Sequence, residues 1–107
     1  MASAFMDTDI RQIEEMMLLS MVSLTLLTRT AVGKMVEQKK GYILNVASVA
    51  SFMPNPFGNV YAATKAYVRS FSEALSEELK GTGVFVSVLC PGPTKTNFSK
   101  RSHILLD

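Results

Sequence analysis

Two short apolar runs with a long helical stretch between them constrain the fold of this chain most. Residues 42–46 (YILNV) and 84–89 (VFVSVL) are typical of strands that are covered on both faces. Residues 60–80 place apolar side chains at helical spacing, and Gly81 and Gly83 end that pattern. A helix of this length joins two parallel strands by a right-handed crossover, so the sequence predicts α/β layering.

A second, longer helix is predicted before the first strand. Thr8 or Asp9 is a suitable N-cap, Lys39 and Lys40 suit the negative C-terminal end, and Gly41 suits the stop. The helix would end near Gln38 and span about 28 residues, or roughly 40 Å. Its middle is apolar all round, so it needs cover from a sheet and from a second partner. Two strands alone make a poor sheet, and we therefore expect a slice of a larger doubly wound sheet.

Composition and charge exclude several classes of function. The chain has 107 residues and a formal net charge of +2, which is too small to indicate a nucleic-acid partner. One Cys and one His exclude a disulfide framework and a Cys- or His-based metal site, and no metal is predicted. The apolar run 16–27 is shorter than the roughly 20 residues that span a bilayer, and it follows acidic residues. We expect a cytoplasmic protein without a membrane span.

Four polar or special residues gather at one edge of the predicted sheet. Ser48 follows the first strand, Pro91 follows the second, and Tyr61 and Lys65 lie at the start of the helix between them. A tyrosine exchanges protons only if its pKa, about 10 in water, is lowered, and a nearby ammonium favours the phenolate. Residues four apart share a helix face, so Tyr-x-x-x-Lys has a chemical logic. Taken alone, the pair is equally well interpreted as two surface residues of a helix.

Three segments together resemble the short-chain dehydrogenase/reductase (SDR) family. They are residues 41–48 (GYILNVAS), 61–68 (YAATKAYV) and 90–96 (CPGPTKT). The resemblance covers essentially the whole chain. It implies that residues 1–107 are the C-terminal catalytic portion of a single Rossmann-like domain whose N-terminal cofactor half is missing. It also implies a homodimer or larger assembly formed through the two long helices.

The resemblance implies an NAD(P)-dependent oxidoreductase that interconverts a ketone or aldehyde and an alcohol. Tyr61 would be the acid/base, and Ser48 would hydrogen-bond the carbonyl oxygen and hold the substrate. Lys65 would contact the nicotinamide ribose hydroxyls and assist Tyr61, so Tyr61 and Lys65 also belong to the cofactor site. A further set would lie along the nicotinamide end of NAD or NADP: Pro91, Gly92, Thr94 and Thr96.

The sequence departs from the family pattern at two places. Ser20 stands where the family has an Asn in a proton relay; it could hold a relay water or be a small packing residue. The chain also contains no Gly-rich strand-to-helix turn to hold the pyrophosphate. We therefore expect this chain alone to bind NAD(P)H poorly. An inactive truncated chain, acting at most as a self-associating helical module, is the alternative.

Overall fold

The computed structural model describes residues 4–48, 58–91 and 104–106 of the chain. The elements are a short 3₁₀ turn (Phe5–Asp7), α1 (Ile10–Met17), a π-helical segment (Leu18–Ser23), α2 (Leu24–Gln38), β1 (Gly41–Val46), α3 (Asn59–Glu78), β2 (Val84–Cys90) and β3 (Ile104–Leu106). The predicted α/β fold class is confirmed, and both predicted strands and both predicted helices are present.

The three strands form one parallel sheet in the order β1-β2-β3. Gly41 of β1 pairs with Val84 of β2, and the register continues to Val46 and Leu89. The two predicted parallel strands are confirmed, and a third strand that was not predicted, β3, pairs with the carboxyl end of β2. A three-residue strand carries no period of its own, and its pairing depends on where the rest of the sheet lies.

The long helix begins and ends where the sequence predicts, but a different residue caps its C-terminal end. The Asp9 side chain accepts a hydrogen bond from the Arg11 backbone N–H at 3.2 Å, as an N-cap does. The helix ends at Gln38, and the left-handed residue that caps it is Lys39, with φ 60°, and not Gly41. Gly41 instead starts β1, where a Cβ would overlap the Met35 side chain. The glycine at position 41 therefore allows this close approach and does not serve as the helix stop.

The long helix also differs from the single α-helix that the periodicity predicts. Between α1 and α2, the segment Leu18–Ser23 is π-helical. A π turn shifts the backbone hydrogen bonds by one residue, and such turns occur frequently at functional sites. The apolar spacing of the side chains does not report a local shift of this kind, and the sequence gives no other signal for it.

The core lies between the helices and one face of the sheet. One cluster, near the carboxyl ends of the strands, is formed by Ala47, Val68, Val88 and Cys90, with Leu24 packed against it. A second cluster, near the amino ends, is formed by Val32, Leu79, Val84 and Val86, with Met35, Ile43 and Leu75 packed against it. The two clusters fix α2 and α3 side by side on the same face of β1 and β2.

The opposite face of the sheet is exposed and apolar. Tyr42, Leu44 and Val46 of β1 are 54%, 50% and 46% exposed, and Phe85 of β2 is 60% exposed. The prediction that the strands are covered on both faces is therefore wrong for the described part of the chain. The apolar character of these residues shows that the sequence is suited to a second covering layer.

The long helix is more exposed than a core helix. Ile10–Gln38 is one helix that is long and apolar enough to cross a membrane by length and composition, and only 6% of its most apolar window is buried. The apolar run 16–27, on which the sequence-based expectation rested, is shorter than this helix of 29 residues. Helices of soluble proteins pass the same test, so the finding is weak support for membrane association.

Candidate active site

The topology brings the predicted site residues to the carboxyl edge of the sheet. β1 and β2 are parallel, so Ser48 and Pro91 follow strand ends at the same edge. α3 returns from that edge to the amino end of β2, which places Tyr61 and Lys65 in its first two turns. Val68, one turn further along α3, packs with Ala47 and Cys90 at the strand ends. The first turns of α3 therefore lie at or beyond the ends of the strands.

Tyr61 and Lys65 are in contact on one face of α3. The Lys65 Nζ lies 5.6 Å from the centroid of the Tyr61 ring, within the range of a cation–π contact. Both side chains are half-buried, so they are held by the helix and still reachable by a ligand. A phenol and an ammonium are suitable hydrogen-bond donors for ribose hydroxyls, and the pair therefore fits the nicotinamide-ribose end of a dinucleotide.

The first turns of α3, next to Tyr61, are held by a hydrogen bond and by buried side chains. The Thr64 hydroxyl donates to the Tyr61 carbonyl oxygen at 2.7 Å, and Thr64 is buried. Ala62, the residue after Tyr61, is buried as well. The backbone that follows Tyr61 is thus held in place, which limits movement of the phenol relative to the sheet.

Ser48 lies two residues beyond the end of β1. The Ala47 N–H donates to the Leu89 carbonyl oxygen at 2.7 Å and extends the strand pairing by one residue. Ala47 is buried in the apolar cluster under α3, and Ser48 is half-buried. The residue before Ser48 is therefore held by both a backbone hydrogen bond and packing, so the hydroxyl starts from a fixed backbone position.

Ser20 lies within the π-helical segment, which contacts α3. It is half-buried and stands one turn before Leu24, which packs on Ala47 and Val68 at the carboxyl edge. The long helix thus carries Ser20 to the same edge as Tyr61 and Lys65. A role for Ser20 in a proton relay stays a prediction, with a purely structural role as a small packing residue as the alternative.

The structure also shows a polar link that the sequence patterns did not indicate. The Thr25 and Tyr67 hydroxyls are 2.6 Å apart and join the first turn of α2 to α3. The Tyr67 ring stacks on Phe71, with centroids 5.9 Å apart and planes inclined by 6°. Tyr67 lies at the border of the apolar face of α3, since it is 37% exposed and its hydroxyl makes a hydrogen bond.

The cofactor residues predicted after β2 are only partly described. Pro91 follows Cys90 at the carboxyl end of β2 and is half-buried. Gly92, Thr94 and Thr96 lie outside the described residues. Cys90 itself is fully buried in the core cluster, as expected for a small apolar residue without a catalytic role.

A buried polar pair was also missed by the sequence analysis. The Asn45 side chain donates to the Ser72 hydroxyl at 3.0 Å across the interface of β1 and α3. The available signal was an amide in the middle of an otherwise apolar strand, since a buried amide requires a hydrogen-bond partner. Among the residues that the structure describes, no group of three His, Cys, Asp or Glu side chains could hold a metal ion.

Comparison with protein families gives a match over nearly the whole chain. The model of the short chain dehydrogenase family matches residues 1–104. Among curated proteins, the chain is 37% identical over 95 residues to the very-long-chain 3-oxoacyl-CoA reductase of Mus musculus. That match covers 89% of this chain and 30% of the relative. The chain thus spans about a third of the length of the curated relatives that it resembles.

Comparison with solved structures agrees with the fold. A short-chain dehydrogenase from Sphingobium yanoikuyae, solved in complex with NADPH, superposes with a TM-score of 0.79 at 32% identity. The match covers 86% of this chain and 37% of that structure. A bulky-bulky ketone specific alcohol dehydrogenase from Comamonas testosteroni superposes with a TM-score of 0.86 at 24% identity, over 99% of this chain and 49% of its own. The latter supports the fold alone.

Proposed function

Because this chain belongs to the short chain dehydrogenase family, we propose that residues 1–107 form the catalytic portion of an NAD(P)-dependent oxidoreductase domain. The reaction is the interconversion of a ketone or aldehyde and an alcohol. The observation that carries the proposal is the contact of Tyr61 with Lys65 on α3, at the sheet edge where Ser48 follows β1. The relatives' names and the NADPH-bound neighbour support oxidoreduction with a nicotinamide cofactor.

Each residue at this edge has a chemical task in the proposal. The bound nicotinamide cofactor supplies or accepts the hydride. During reduction the Tyr61 hydroxyl gives a proton to the carbonyl oxygen, while the Ser48 hydroxyl donates a hydrogen bond to the same oxygen. The Lys65 ammonium favours the phenolate that remains on Tyr61 and donates to the ribose hydroxyls. Pro91, at the end of β2, borders the nicotinamide end.

The relatives suggest a substrate class. The curated relatives from mouse and human are both very-long-chain 3-oxoacyl-CoA reductases, at 37% and 36% identity. We propose that a 3-oxoacyl thioester with a long acyl chain is the substrate. The apolar residues Phe52, Met53 and Phe57, which precede α3 in the sequence, suit such a substrate; they lie outside the described residues.

A chimera tests the proposed function in a protein of the relatives' full length. In it, this chain replaces the matched 95-residue segment of the mouse reductase. We expect it to oxidise NADPH or NADH in the presence of a long-chain 3-oxoacyl-CoA, as followed by the loss of nicotinamide absorbance. Tyr61→Phe removes only the hydroxyl and should lower kcat by about a thousandfold while leaving cofactor binding intact.

Two results of this experiment would contradict the proposal. A chimera that folds and binds cofactor but lacks turnover would show that Ser48, Tyr61 and Lys65 do not form a catalytic set. Turnover that survives Tyr61→Phe would exclude Tyr61 as the acid/base. Thr64→Ser is the matched control on the same turn, since it keeps the hydroxyl that donates to the Tyr61 carbonyl.

A second function is favoured by the exposed face of the long helix. Five apolar side chains on this helix are 45–74% exposed: Leu18, Leu19, Val22, Leu26 and Leu27. An apolar surface of this kind on a helix typically contacts another protein or a second copy of the chain. We propose that the chain self-associates through this helix and α3, with or without activity. The cytoplasmic location stays a prediction.

Cofactor dependence separates the two proposed functions. If the chain acts only as a self-associating helical module, sedimentation should show a concentration-dependent dimer or larger species that NADPH does not affect. If it also belongs to a cofactor site, the fluorescence of NADPH should change on titration with the chimera. We expect weak binding to the chain alone, because it has no Gly-rich turn for the pyrophosphate.

A further inference from the structure

One buried hydrogen bond connects β1 to α3 below the candidate active site. The Asn45 Nδ2 donates to the Ser72 Oγ at 3.0 Å, and the two residues are 27 positions apart in the chain. Both are more than nine-tenths buried. Close to this hydrogen bond, Ala47, directly after β1, packs in an apolar cluster with Val68 of α3.

Each partner lies on an element that also carries or precedes a proposed catalytic residue. Asn45 precedes Ser48 by three residues on the same strand end. Ser72 follows Tyr61 by eleven residues, which is about three turns of α-helix, so the two share a face of α3. Lys65 lies on the same face, one turn from Tyr61.

The hydrogen bond supplies a constraint that the apolar contacts lack. Apolar packing is non-directional, and a strand can slide along a helix by a fraction of an ångström at little cost. A hydrogen bond between two buried side chains fixes the distance and direction between one point on each element. The position of β1 along α3, and therefore of Ser48 relative to Tyr61, is set at this point.

We propose that Asn45 and Ser72 are positioning residues that hold the carboxyl end of β1 in register with the Tyr61 face of α3. The consequence for catalysis rests on the proposed function. Neither residue touches the substrate or the cofactor in this proposal; they act through Ser48 and Tyr61. Displacements of about 1 Å at a distance from the chemistry can lower a rate a hundredfold.

Ser76 provides a matched control on the same helix. It is one turn beyond Ser72, it is also more than nine-tenths buried, and its hydroxyl has no hydrogen-bond partner in the described structure. Ser72→Ala and Ser76→Ala therefore remove the same atom from the same kind of site. Only the first removes the link to Asn45, and alanine preserves the helix in both variants.

Amide hydrogen exchange on the full chain tests the positioning directly. The Ala47 N–H is bonded to the Leu89 carbonyl at the end of β1 and reports on local opening there. We expect Ser72→Ala to accelerate exchange at Ala47 about tenfold relative to Val86 in the middle of β2. Ser76→Ala should leave that ratio unchanged. Equal ratios in the two variants would overturn the proposal, whatever the activity of the chain.

Kinetics of the chimera test the catalytic consequence. We expect Ser72→Ala to lower kcat about tenfold while KM and the affinity for the cofactor change less than twofold, because only the alignment of the reacting groups is disturbed. Ser76→Ala should retain the parent values. A loss shared by both variants, or one confined to KM, contradicts a positioning role. An inactive parent chimera refutes the proposed function, while the exchange ratio still decides whether the pair holds β1.

Discussion

The turn between α3 and β2 contains two glycines that allow a backbone effect to be separated from a steric one. Gly81 and Gly83 have nearly the same φ, 86° and 87°. A Cβ at Gly81 would meet no atom within 4 Å, whereas a Cβ at Gly83 would overlap the backbone carbonyl of Lys39. Gly81→Ala thus changes only the conformational preference, and Gly83→Ala adds a clash with the end of the long helix.

The two free-energy changes follow from these differences. A non-glycine residue in the left-handed region costs about 1–2 kcal/mol. Alanine also stiffens the unfolded chain, which offsets about 0.4–1 kcal/mol of that cost. We therefore expect Gly81→Ala to lower the free energy of unfolding by about 1 kcal/mol. Gly83→Ala must in addition move β2 away from Lys39, and overpacking of this kind costs about 1–3 kcal/mol more.

Thermal unfolding followed by circular dichroism measures the difference. For a chain of this size, 1 kcal/mol corresponds to a change in Tm of about 5 °C. Gly81→Ala should lower Tm by about 5 °C and Gly83→Ala by about 15 °C. Equal shifts would refute the steric argument, because they would show that β2 can move away from Lys39 at no cost. A larger decrease in Tm for Gly81→Ala than for Gly83→Ala would also contradict the steric argument.

Two further pairs of substitutions test the packing of the sheet and the exposed helix face. In urea denaturation, Val86→Ala in the core should lower the free energy of unfolding by about 2 kcal/mol. Phe85→Ala on the exposed face should change it by less than about 0.5 kcal/mol. Similar losses of stability in the two variants would mean that Phe85 is covered in solution. Leu26→Glu, at a residue 62% exposed, should abolish the self-association seen by sedimentation, and Gln12→Glu, on exposed α1, should not. Persistence of the larger species in Leu26→Glu would place the contact elsewhere.

The sequence predicted the elements well where a local signal exists. The N-cap at Asp9, the strands around 42–46 and 84–89, and the helix between them were all predicted from local patterns and are present. Arg69 and Glu73 are four residues apart, a spacing that predicts an ion pair on a helix, and their nitrogen and oxygen are 3.2 Å apart. The spacing does not predict that the pair is partly buried, because burial depends on the neighbouring elements.

The features that the sequence did not predict depend on tertiary contacts. Lys39 caps the long helix, and Gly41 is instead needed against Met35, which no local pattern shows. The π turn and β3 likewise depend on neighbouring elements. Ser48, Tyr61 and Lys65 lie at the predicted edge because strand direction alone determines it. The pairing of Asn45 with Ser72 depends on the register of strand and helix, which hydrophobic spacing does not specify.

The parallel pairing of β1 with β2 also determines how this chain can fold. Gly41 and Val84 are 43 positions apart, and neither strand can find its partner through a short hairpin. The entropy of closing that loop must be overcome before any contact between the strands is made. α3 reduces this cost, since a preformed helix replaces most of the flexible connection with a rigid rod. Helix formation should therefore precede strand pairing, and the apolar residues of β1 remain open to other chains during that interval.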